Sequence, residues 1–307
     1  FTGGGTESNN WALLGIALRN LEKRGHVVVS KIEHHAVLEP AETLQDLGFD
    51  VEFAPVDANG VLDLNQFEIM LRPNTLLVSL MTVNNEIGAI QPVKEAAQLA
   101  RERGVLFHTD AVQAIGKLPL DVNELGVDLL SLSAHKFGGP KGVGALYLKR
   151  GVKMQALLRG GGQERGRRAG TENAPAVASM GVAANIAREN LHQNSAHLGA
   201  LRERLERGLN EIAGAQINGE NSSRAPHITN VIFAGRRGES LALNLDMRGI
   251  AVGTGSACAS GALEPSHVLA AMGRDAKDAR AALRISLGVQ NTADEIDEFL
   301  SVLREII

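Results

Sequence analysis

The sequence predicts an α/β fold in which a large domain with a mainly parallel sheet precedes a smaller α+β domain. From Phe1 to about Tyr147, short β-branched runs alternate with amphipathic stretches, which is the rhythm of βαβ units. An Ala-rich helical stretch from Ala174 to about Ala213 follows, and beyond it strands and helices alternate less regularly. We therefore predict a large domain over residues 1–192 and a small domain over residues 193–307.

Parallel strands joined by helices account for the order of elements in the large domain. Gly25, Gly48 and Gly104 lie where helices would end, and Pro92 lies where one would begin. The predicted strands are His26–Ser30, Val51–Val56, Thr75–Val83, Val105–Thr109, Asp128–Ser133 and Val143–Leu148. The predicted helices are Trp11–Arg24, Ala36–Leu47, Leu64–Leu71 and Val93–Arg103.

The small domain is predicted from fewer elements. The helical stretch that leads into it is interrupted at most near Gln193 and Asn194. The predicted elements beyond it are a strand at Thr229–Phe233, a helix at Glu239–Met247, a Gly/Ser-rich loop around Cys258, a helix at Pro265–Met272, a strand at Leu283–Leu287 and a final helix from Asp294.

Composition excludes several classes of function. The 307 residues include 31 Lys and Arg against 35 Asp and Glu, and aromatic residues are scarce, so a nucleic-acid partner is not expected. No apolar run reaches the length of a membrane span. A single Cys excludes an internal disulfide or a multi-Cys metal site and favours a reducing compartment, the cytoplasm. Because the chain begins at Phe1 and not at Met, we expect a segment upstream of it.

Polar side chains follow the predicted strands, at the sheet edge where ligands of open parallel sheets bind. They include Glu33 to His35, Asn84 to Glu86, His108 to Asp110 with Gln113, and Ser133 to Lys136. Each group could instead cap the helix that follows it. A metal hydrolase could use the His and Asp residues, but no H-E-x-x-H motif or Cys pair occurs, so we predict no metal site.

The segment from Gly3 to Ser8 is rich in glycine and hydroxyl side chains and leads into the first helix. Bare amides at a helix N-terminus bind anions such as phosphate. It is not a dinucleotide fingerprint, because Ser8 stands where the third glycine would fall. The alternative is a Gly-rich turn with a Thr or Ser cap.

Lys136 carries the most specific signal. It follows an apolar strand and precedes a Gly-rich segment, where desolvation would favour the neutral amine that attacks carbonyl groups. Pyridoxal phosphate needs such a lysine, a carboxylate for its ring nitrogen, a flat partner for the ring and a phosphate cup. These could be Lys136, Asp110, His34, and Gly5 and Thr6 with Ser133 and His135.

Seven ordered motifs then resemble the cysteine desulfurases of the iron-sulfur-cluster-assembly and nitrogen-fixation group, which have the fold-type I architecture of pyridoxal-phosphate enzymes. The resemblance covers essentially the whole chain. The motifs are FTGGGTES, KIEHHAVLE, MTVNNEIGAIQP, HTDAVQAIGK, SAHKFGGPKGVGALYL, GGGQERGRRAGTEN and GTGSACASGALEPSHVL.

The resemblance implies a role for each candidate residue. Lys136 would attach the cofactor, Asp110 would keep its ring nitrogen protonated, and His34 would stack on the ring and shuttle protons. Asn85 and Arg284 would bind the substrate, with Arg284 on its carboxylate. The resemblance further implies cofactor contacts from Gly5, Thr6, Asn85, Gln113, Ser133, His135 and, from the other subunit of a homodimer, Thr171.

Cys258 matches the family's nucleophile, and its neighbours are all small residues, as in an exposed loop. The resemblance implies that L-cysteine is converted to L-alanine while its sulfur forms a persulfide on Cys258, from which a scaffold or sulfur-carrier protein would take it. The alternatives are a selenocysteine lyase, a small-amino-acid aminotransferase, and a truncated non-catalytic homologue that lacks the N-terminal segment of the family.

Overall fold

A computed structural model describes residues 1–254 and 265–307, which divide into two compact units. The first unit comprises Phe1–Pro55, Leu62–Val83 and Gln91–Leu191, and the second comprises Val56–Val61, Asn84–Ile90 and His192–Ile307. The sequence analysis predicted a single boundary after residue 192. It did not predict that the segments Val56–Val61 and Asn84–Ile90 belong to the second unit.

The first unit holds the parallel sheet and the helices that cover it. Its strands are β1 (His26–Ser30), β2 (Asp50–Ala54), β3 (Thr75–Ser79), β4 (Leu106–Asp110), β5 (Leu129–Ser133) and β6 (Gly144–Leu148). Its helices are α1 (Gly5–Arg19), α2 (His35–Asp46), α3 (Leu64–Met70), α4 (Val93–Glu102), α5 (Val122–Leu125), α6 (Gln163–Gly166) and α7 (Ala174–Glu189), with a 3-10 turn at Ala134–Phe137.

Within the part of the chain that the structure describes, this sheet has six strands in the order β2-β1-β3-β4-β5-β6. All neighbouring strands are parallel except β5 and β6, which pair antiparallel. The mainly parallel α/β fold predicted from the sequence is therefore confirmed. The strand order reverses between β1 and β3, and ligands of open α/β sheets bind beyond the carboxyl ends of strands at such a point.

Helix α1 packs its apolar face on this sheet. Leu13 and Ile16 are buried in the same cluster as Val27 and Val29 of β1 and Leu77 of β3. The helix begins at Gly5 and not at the predicted Trp11, so its first turns are polar. That early start brings the N-terminus of α1 to the site described below.

The second unit is an antiparallel sheet covered by helices. Its strands are β7 (Ala215–Ile217), β8 (Ile228–Phe233), β9 (Gly253–Thr254) and β10 (Ala282–Ser286), and its helices are α8 (Leu191–Asn210), α9 (Gly238–Asp246), α10 (His267–Ala271), α11 (Ala276–Arg280) and α12 (Ala293–Ile306). Over the described residues the strand order is β7-β8-β10-β9. Leu205, Val231, Leu283 and Leu303 are among the fully buried residues of its core.

The elements depart from the sequence-based assignment at several boundaries. The strand predicted over Thr75–Val83 ends at Ser79, and the long helical region is divided near Asn190 and not near Gln193. The sequence analysis missed β7, β9 and α11, because runs of two to five residues carry too little periodicity to be recognised. Among the described helices, none combines the length and apolar character needed to cross a bilayer.

Candidate active site

Asp110 ends β4 and its carboxylate is held from two sides. The backbone amide of Val112 donates to Oδ1 at 2.9 Å, and the side-chain amide of Asn9 donates to Oδ2 at 2.6 Å. Burial raises the pKa of Asp110, while these two hydrogen bonds and the nearby His34 and Lys136 oppose the rise. The carboxylate is therefore fixed in orientation, but these contacts do not fully offset the cost of burying its negative charge.

The surroundings of Asp110 fit a protonated ring nitrogen. Within the described residues no cationic side chain forms an ion pair with Asp110. Oδ1 of Asn9 is also buried there without a hydrogen-bond partner among those residues. A buried carboxylate of this kind is stabilised by a cationic or hydrogen-bonding partner. The pyridinium edge of pyridoxal phosphate has that chemistry.

Lys136 lies in the 3-10 turn that follows β5, with Gly138 ending the turn in a left-handed conformation (φ 89°). Its charge acts on Asp110 and on His135, so the amine lies near both. Residue 136 is exposed within the chain. The desolvation that the sequence analysis invoked to activate this amine is therefore not provided by burial of Lys136.

A cradle suited to phosphate forms between the N-terminus of α1 and the 3-10 turn. No side chain caps α1, whose N-cap residue is Gly4. A Cβ on Gly5 would lie 2.8 Å from Cγ2 of Val112 and 3.5 Å from Cβ of Ser133, so only glycine allows this close approach. Ser133 Oγ is within 2.9 Å of His135 Nδ1. Backbone amides, a hydroxyl and an imidazole here have the chemistry of an anion site, and binding of phosphate by them stays a prediction.

His34 is the N-cap of α2, and its Nδ1 accepts a hydrogen bond from the amide of Ala36 at 3.0 Å. The capping interpretation is therefore correct for this residue. Because Nδ1 is the acceptor, Nε2 carries the ring proton, and the imidazole is held in one orientation. That fixed orientation is what a ring-stacking partner requires.

Gln113 and Thr171, the other two predicted cofactor contacts of the first unit, lie in different parts of that unit. Gln113 lies three residues after Asp110, at the same end of the sheet. Thr171 is exposed and lines a cavity of about 170 Å³ together with Arg168. Among the described residues, the lining of that cavity includes none of the cradle residues Ser133, His135 and Lys136.

The two residues predicted to bind substrate lie together in the second unit. Arg284 stands in the middle of β10, and its Nη1 donates to the backbone oxygen of Asn85 at 3.3 Å. Gly253 of β9 is the register partner of Arg284, and a Cβ there would lie 3.2 Å from Nη2. No carboxylate of the described residues pairs with Arg284, so its guanidinium retains donors for a carboxylate ligand.

Cys258 lies outside the described residues, but both ends of its segment are held. Gly253–Thr254 pairs with β10 beside Arg284. On the other side, the buried hydroxyl of Ser266 donates to Oε2 of Glu86 at 2.5 Å and accepts from the amide of Leu269 at 3.2 Å. The segment that carries Cys258 therefore starts next to the guanidinium of Arg284.

Sequence reasoning missed residues that support the site. Asn9 is the donor to Asp110, and no signal in the sequence identified it, because the predicted helix began only at Trp11. Arg168, in the GGGQERG loop region, donates from Nε to Glu7 Oε1 at 2.9 Å and so ties that loop to α1. Glu33, which the sequence analysis already named among the polar residues after the strands, is fully buried, and its Oε1 accepts from the amide of Met81 at 2.6 Å.

Fold and site together define a pyridoxal-phosphate enzyme of fold type I. The family model for class-V aminotransferases matches residues 1–299. A cysteine desulfurase IscS from Clostridium botulinum is 49% identical over 310 residues, covering 100% of this chain and 78% of that protein. The chain therefore belongs to the class-V aminotransferase family, in the branch formed by the cysteine desulfurases. Members of this family use pyridoxal phosphate.

Solved structures agree with this assignment. A NifS-like protein superposes with a TM-score of 0.92 at 41% identity, covering 99% of this chain and 81% of that one. SspA in complex with cysteine superposes with a TM-score of 0.81 at 36% identity, covering 95% of this chain and 81% of that one.

Proposed function

We propose that this protein converts L-cysteine to L-alanine and transfers the sulfur to Cys258 as a persulfide. The observation that carries this proposal is the buried carboxylate of Asp110, held by Asn9 and Val112 beside the Lys136 amine. The solved structure of SspA in complex with cysteine supports the choice of substrate.

Apart from Asn85, the residues that would hold the cofactor belong to the first unit. Gly5, Thr6, Ser133 and His135 would bind its phosphate, Asp110 its ring nitrogen and His34 its ring face, while Gln113 and Asn85 would bind the side of its phenolic oxygen. When bound, pyridoxal phosphate supplies an aldehyde that condenses with amines and a ring that accepts the electrons released with the Cα proton. Asp110 favours this by stabilising positive charge on the ring nitrogen.

Lys136 is better suited than His34 to remove the Cα proton of cysteine. The imidazole of His34 has its Nδ1 lone pair engaged by the Ala36 amide, so its remaining nitrogen already carries a proton. The amine of Lys136, on the short turn after β5, accepts a proton in its neutral form. His34 would then donate a proton, and Lys136 would accept one.

Arg284 would bind the substrate carboxylate with its planar guanidinium. Its contact with the Asn85 backbone oxygen uses one of five N–H donors. A bidentate pair with a carboxylate uses two more, which fixes both the position and the orientation of an amino-acid substrate. Asn85 lies beside it and would add a side-chain contact.

Cys258 would attack the sulfur of the substrate as a thiolate. The S–S bond forms as the C–S bond breaks, the electron pair of the C–S bond stays on carbon, and protons complete alanine. One thiol and one cysteine thus give one persulfide and one alanine, and no external oxidant is needed. Cys258 comes five positions after Gly253 in the sequence, so a fully extended chain would span at most about 18 Å between their Cα atoms.

A homodimer, a sulfur acceptor and a cytoplasmic location complete the proposal. Val182 and Ile186, one turn apart on α7, are 61% and 55% exposed, which supports burial of this face against a second copy that would supply Thr171. An iron-sulfur scaffold or sulfur-carrier protein would take the persulfide sulfur. We further propose that residues 1–192 act as the cofactor-binding domain and residues 193–307 as the domain of the Cys258 loop.

The decisive assay mixes the protein with pyridoxal phosphate and L-cysteine and measures alanine together with sulfide released by a thiol reductant. We expect visible absorption from the bound cofactor and alanine in amounts equal to the sulfide. A protein that absorbs and yields no alanine would contradict the proposal, and a colourless one would favour the non-catalytic alternative. Turnover of selenocysteine but not cysteine by the parent protein would favour a selenocysteine lyase.

A further inference from the structure

A buried asparagine lies directly opposite Arg284 in the sheet of the second unit. Asn230 of β8 and Arg284 of β10 are register partners in an antiparallel strand pair. The side chains of such partners are on the same face of the sheet, with Cβ atoms about 4.5–5.5 Å apart. Asn230 is fully buried, so its polar side chain has to be satisfied inside the protein.

The two side chains bind the same stretch of backbone. Nη1 of Arg284 donates to the backbone oxygen of Asn85 at 3.3 Å, and Nδ2 of Asn230 donates to the backbone oxygen of Glu86 at 3.3 Å. These two carbonyl groups are consecutive in the chain. Asn230 therefore holds the backbone segment that accepts a hydrogen bond from the guanidinium of Arg284.

A second asparagine sets the orientation of the Asn230 amide. Nδ2 of Asn218 donates to Oδ1 of Asn230 at 2.7 Å, and the backbone amide of Asn218 donates to the backbone oxygen of Asn230 at 2.9 Å. Both asparagines are fully buried. Because Oδ1 of Asn230 accepts from Asn218, rotating the amide would leave buried donors and acceptors mismatched. The Asn230 amide is thus fixed with its NH2 group towards Glu86.

We propose that Asn230 is a positioning residue for the substrate carboxylate: it holds the backbone of residues 85 and 86 so that Arg284 presents its guanidinium in one orientation. Bidentate binding of a carboxylate depends on that orientation as well as on charge. Asn230 acts through Arg284 and does not touch the substrate. The inference deepens the proposed function, because it rests on binding of the cysteine carboxylate by Arg284.

The test compares L-cysteine with cysteamine, which has the same amine and thiol but no carboxylate, by spectral titration of the holoenzyme. All proteins carry Cys258→Ser, so that the ligand is not turned over. Asn230→Ala should weaken L-cysteine binding about three- to tenfold and leave cysteamine binding unchanged. Asn230→Asp keeps the shape of the side chain and should weaken L-cysteine binding further, because a carboxylate opposite Arg284 competes with that of the substrate.

Thr229→Val is the matched control. Thr229 lies on the same strand with its side chain on the opposite face, where its hydroxyl donates to Oε1 of Glu206 at 2.8 Å. The variant removes one hydrogen bond from β8 and should bind both ligands like the parent. Equal losses of L-cysteine and cysteamine binding in Asn230→Ala would overturn the proposal, because the role of Asn230 would then be structural only.

A double-mutant cycle tests whether Asn230 acts through Arg284. In an Arg284→Ala protein, adding Asn230→Ala should cause no further loss of L-cysteine affinity. The same loss with and without Arg284 would contradict the proposal.

An NMR measurement without any ligand separates this proposal from the proposed function. The Nε–H resonance of Arg284 should shift in Asn230→Ala and stay in place in Thr229→Val, and an unchanged resonance in Asn230→Ala would overturn the positioning role. Failure of the parent protein to form alanine, with the resonance shift present and L-cysteine still preferred over cysteamine, would contradict the proposed function alone. Equal affinities of the parent for the two ligands would remove the role of Arg284 and this proposal with it.

Discussion

The side-chain amide of Asn9 donates a 2.6 Å hydrogen bond to Oδ2 of Asp110, and both residues are buried. Because the Val112 amide binds the other oxygen, the carboxylate cannot rotate without losing a charge-assisted bond. The first helix of the chain thus orients a group on the fourth strand of the sheet.

Asp110→Asn should slow alanine formation at least about a hundredfold, because a neutral amide does not stabilise a positive ring nitrogen. The cradle around Gly5 and Ser133 is unchanged, so the cofactor should still bind. Asn9→Ala keeps the carboxylate and should lose much less activity. Single-turnover alanine formation measures both, and a parental rate in Asp110→Asn would remove this residue from the mechanism.

Glu33 should stabilise the fold as a neutral acid. Burial raises its pKa well above 4.5, with the Met81 amide opposing the rise and the charge of Asp110 adding to it. The folded state thus holds a proton that the unfolded chain loses, so this contribution is present below pH 4.5 and lost as pH rises through the folded pKa.

Glu33→Gln cannot lose that proton, so its free energy of unfolding should rise relative to the parent as pH increases from 4.5. Glu33→Ala leaves the Met81 amide unpaired and should be less stable by about 1 to 3 kcal/mol. Urea unfolding at several pH values measures both. A constant difference between Glu33→Gln and the parent would show that Glu33 is already ionised.

His108 lies between two hydroxyls inside the sheet. Its Nδ1 is 2.8 Å from Ser79 Oγ and its Nε2 is 2.9 Å from Ser131 Oγ. Burial lowers its pKa from 6.5 to about 3. Between pH 6.5 and about pH 3, His108 binds a proton in the unfolded chain but not in the folded protein. His108 therefore lowers the free energy of unfolding by about 1.4 kcal/mol for each pH unit of acidification in this range.

His108→Gln should lose that part of the pH dependence, as measured by urea unfolding between pH 7 and pH 5. The NMR resonances of the His108 ring in the parent protein give an independent reading and should stay unchanged from pH 8 to pH 5. A ring that titrates near pH 6.5 would contradict the burial argument.

Arg284→Ala should weaken binding of cysteine on the order of a hundredfold, because the substrate carboxylate loses a bidentate partner. Arg284→Lys keeps the charge without the planar fork and should recover only part of the affinity. Arg280→Ala, at an exposed end of α11, is the matched control. Spectral titration of the holoenzyme with cysteine measures the affinity, and equal affinities in Arg284→Ala and Arg280→Ala would exclude the role.

Much of the site was predictable because it follows from local rules. Asp110 and Ser133 end apolar strands and His34 comes soon after one, and the parallel arrangement places the carboxyl ends of strands at one edge of the sheet. Asn9 was not predictable in the same way, since its partner lies 101 residues away and depends on the early start of α1 at Gly5.

Other parts of the fold depend on contacts between residues far apart in the sequence, which the hydrophobic pattern of a single segment does not indicate. The segments 56–61 and 84–90 belong to the second unit through non-local pairing, such as the bridge between Ala89 and Arg224. The two-residue strand Gly253–Thr254 exists only because β10 pairs with it. The roles of Asn85 and Arg284 came from family resemblance and not from their spacing in the sequence.

The most direct measurement of the central claim is persulfide trapping on Cys258. The holoenzyme is mixed with L-cysteine, alkylated and mapped by mass spectrometry, alongside a Cys258→Ser variant that retains the cofactor. Since a hydroxyl is a poor nucleophile towards sulfur, we expect a persulfide on Cys258 of the parent, and neither persulfide nor alanine turnover in Cys258→Ser. Trapped persulfide in that variant, or parental turnover without Cys258, would contradict the account, because the chain contains no other cysteine.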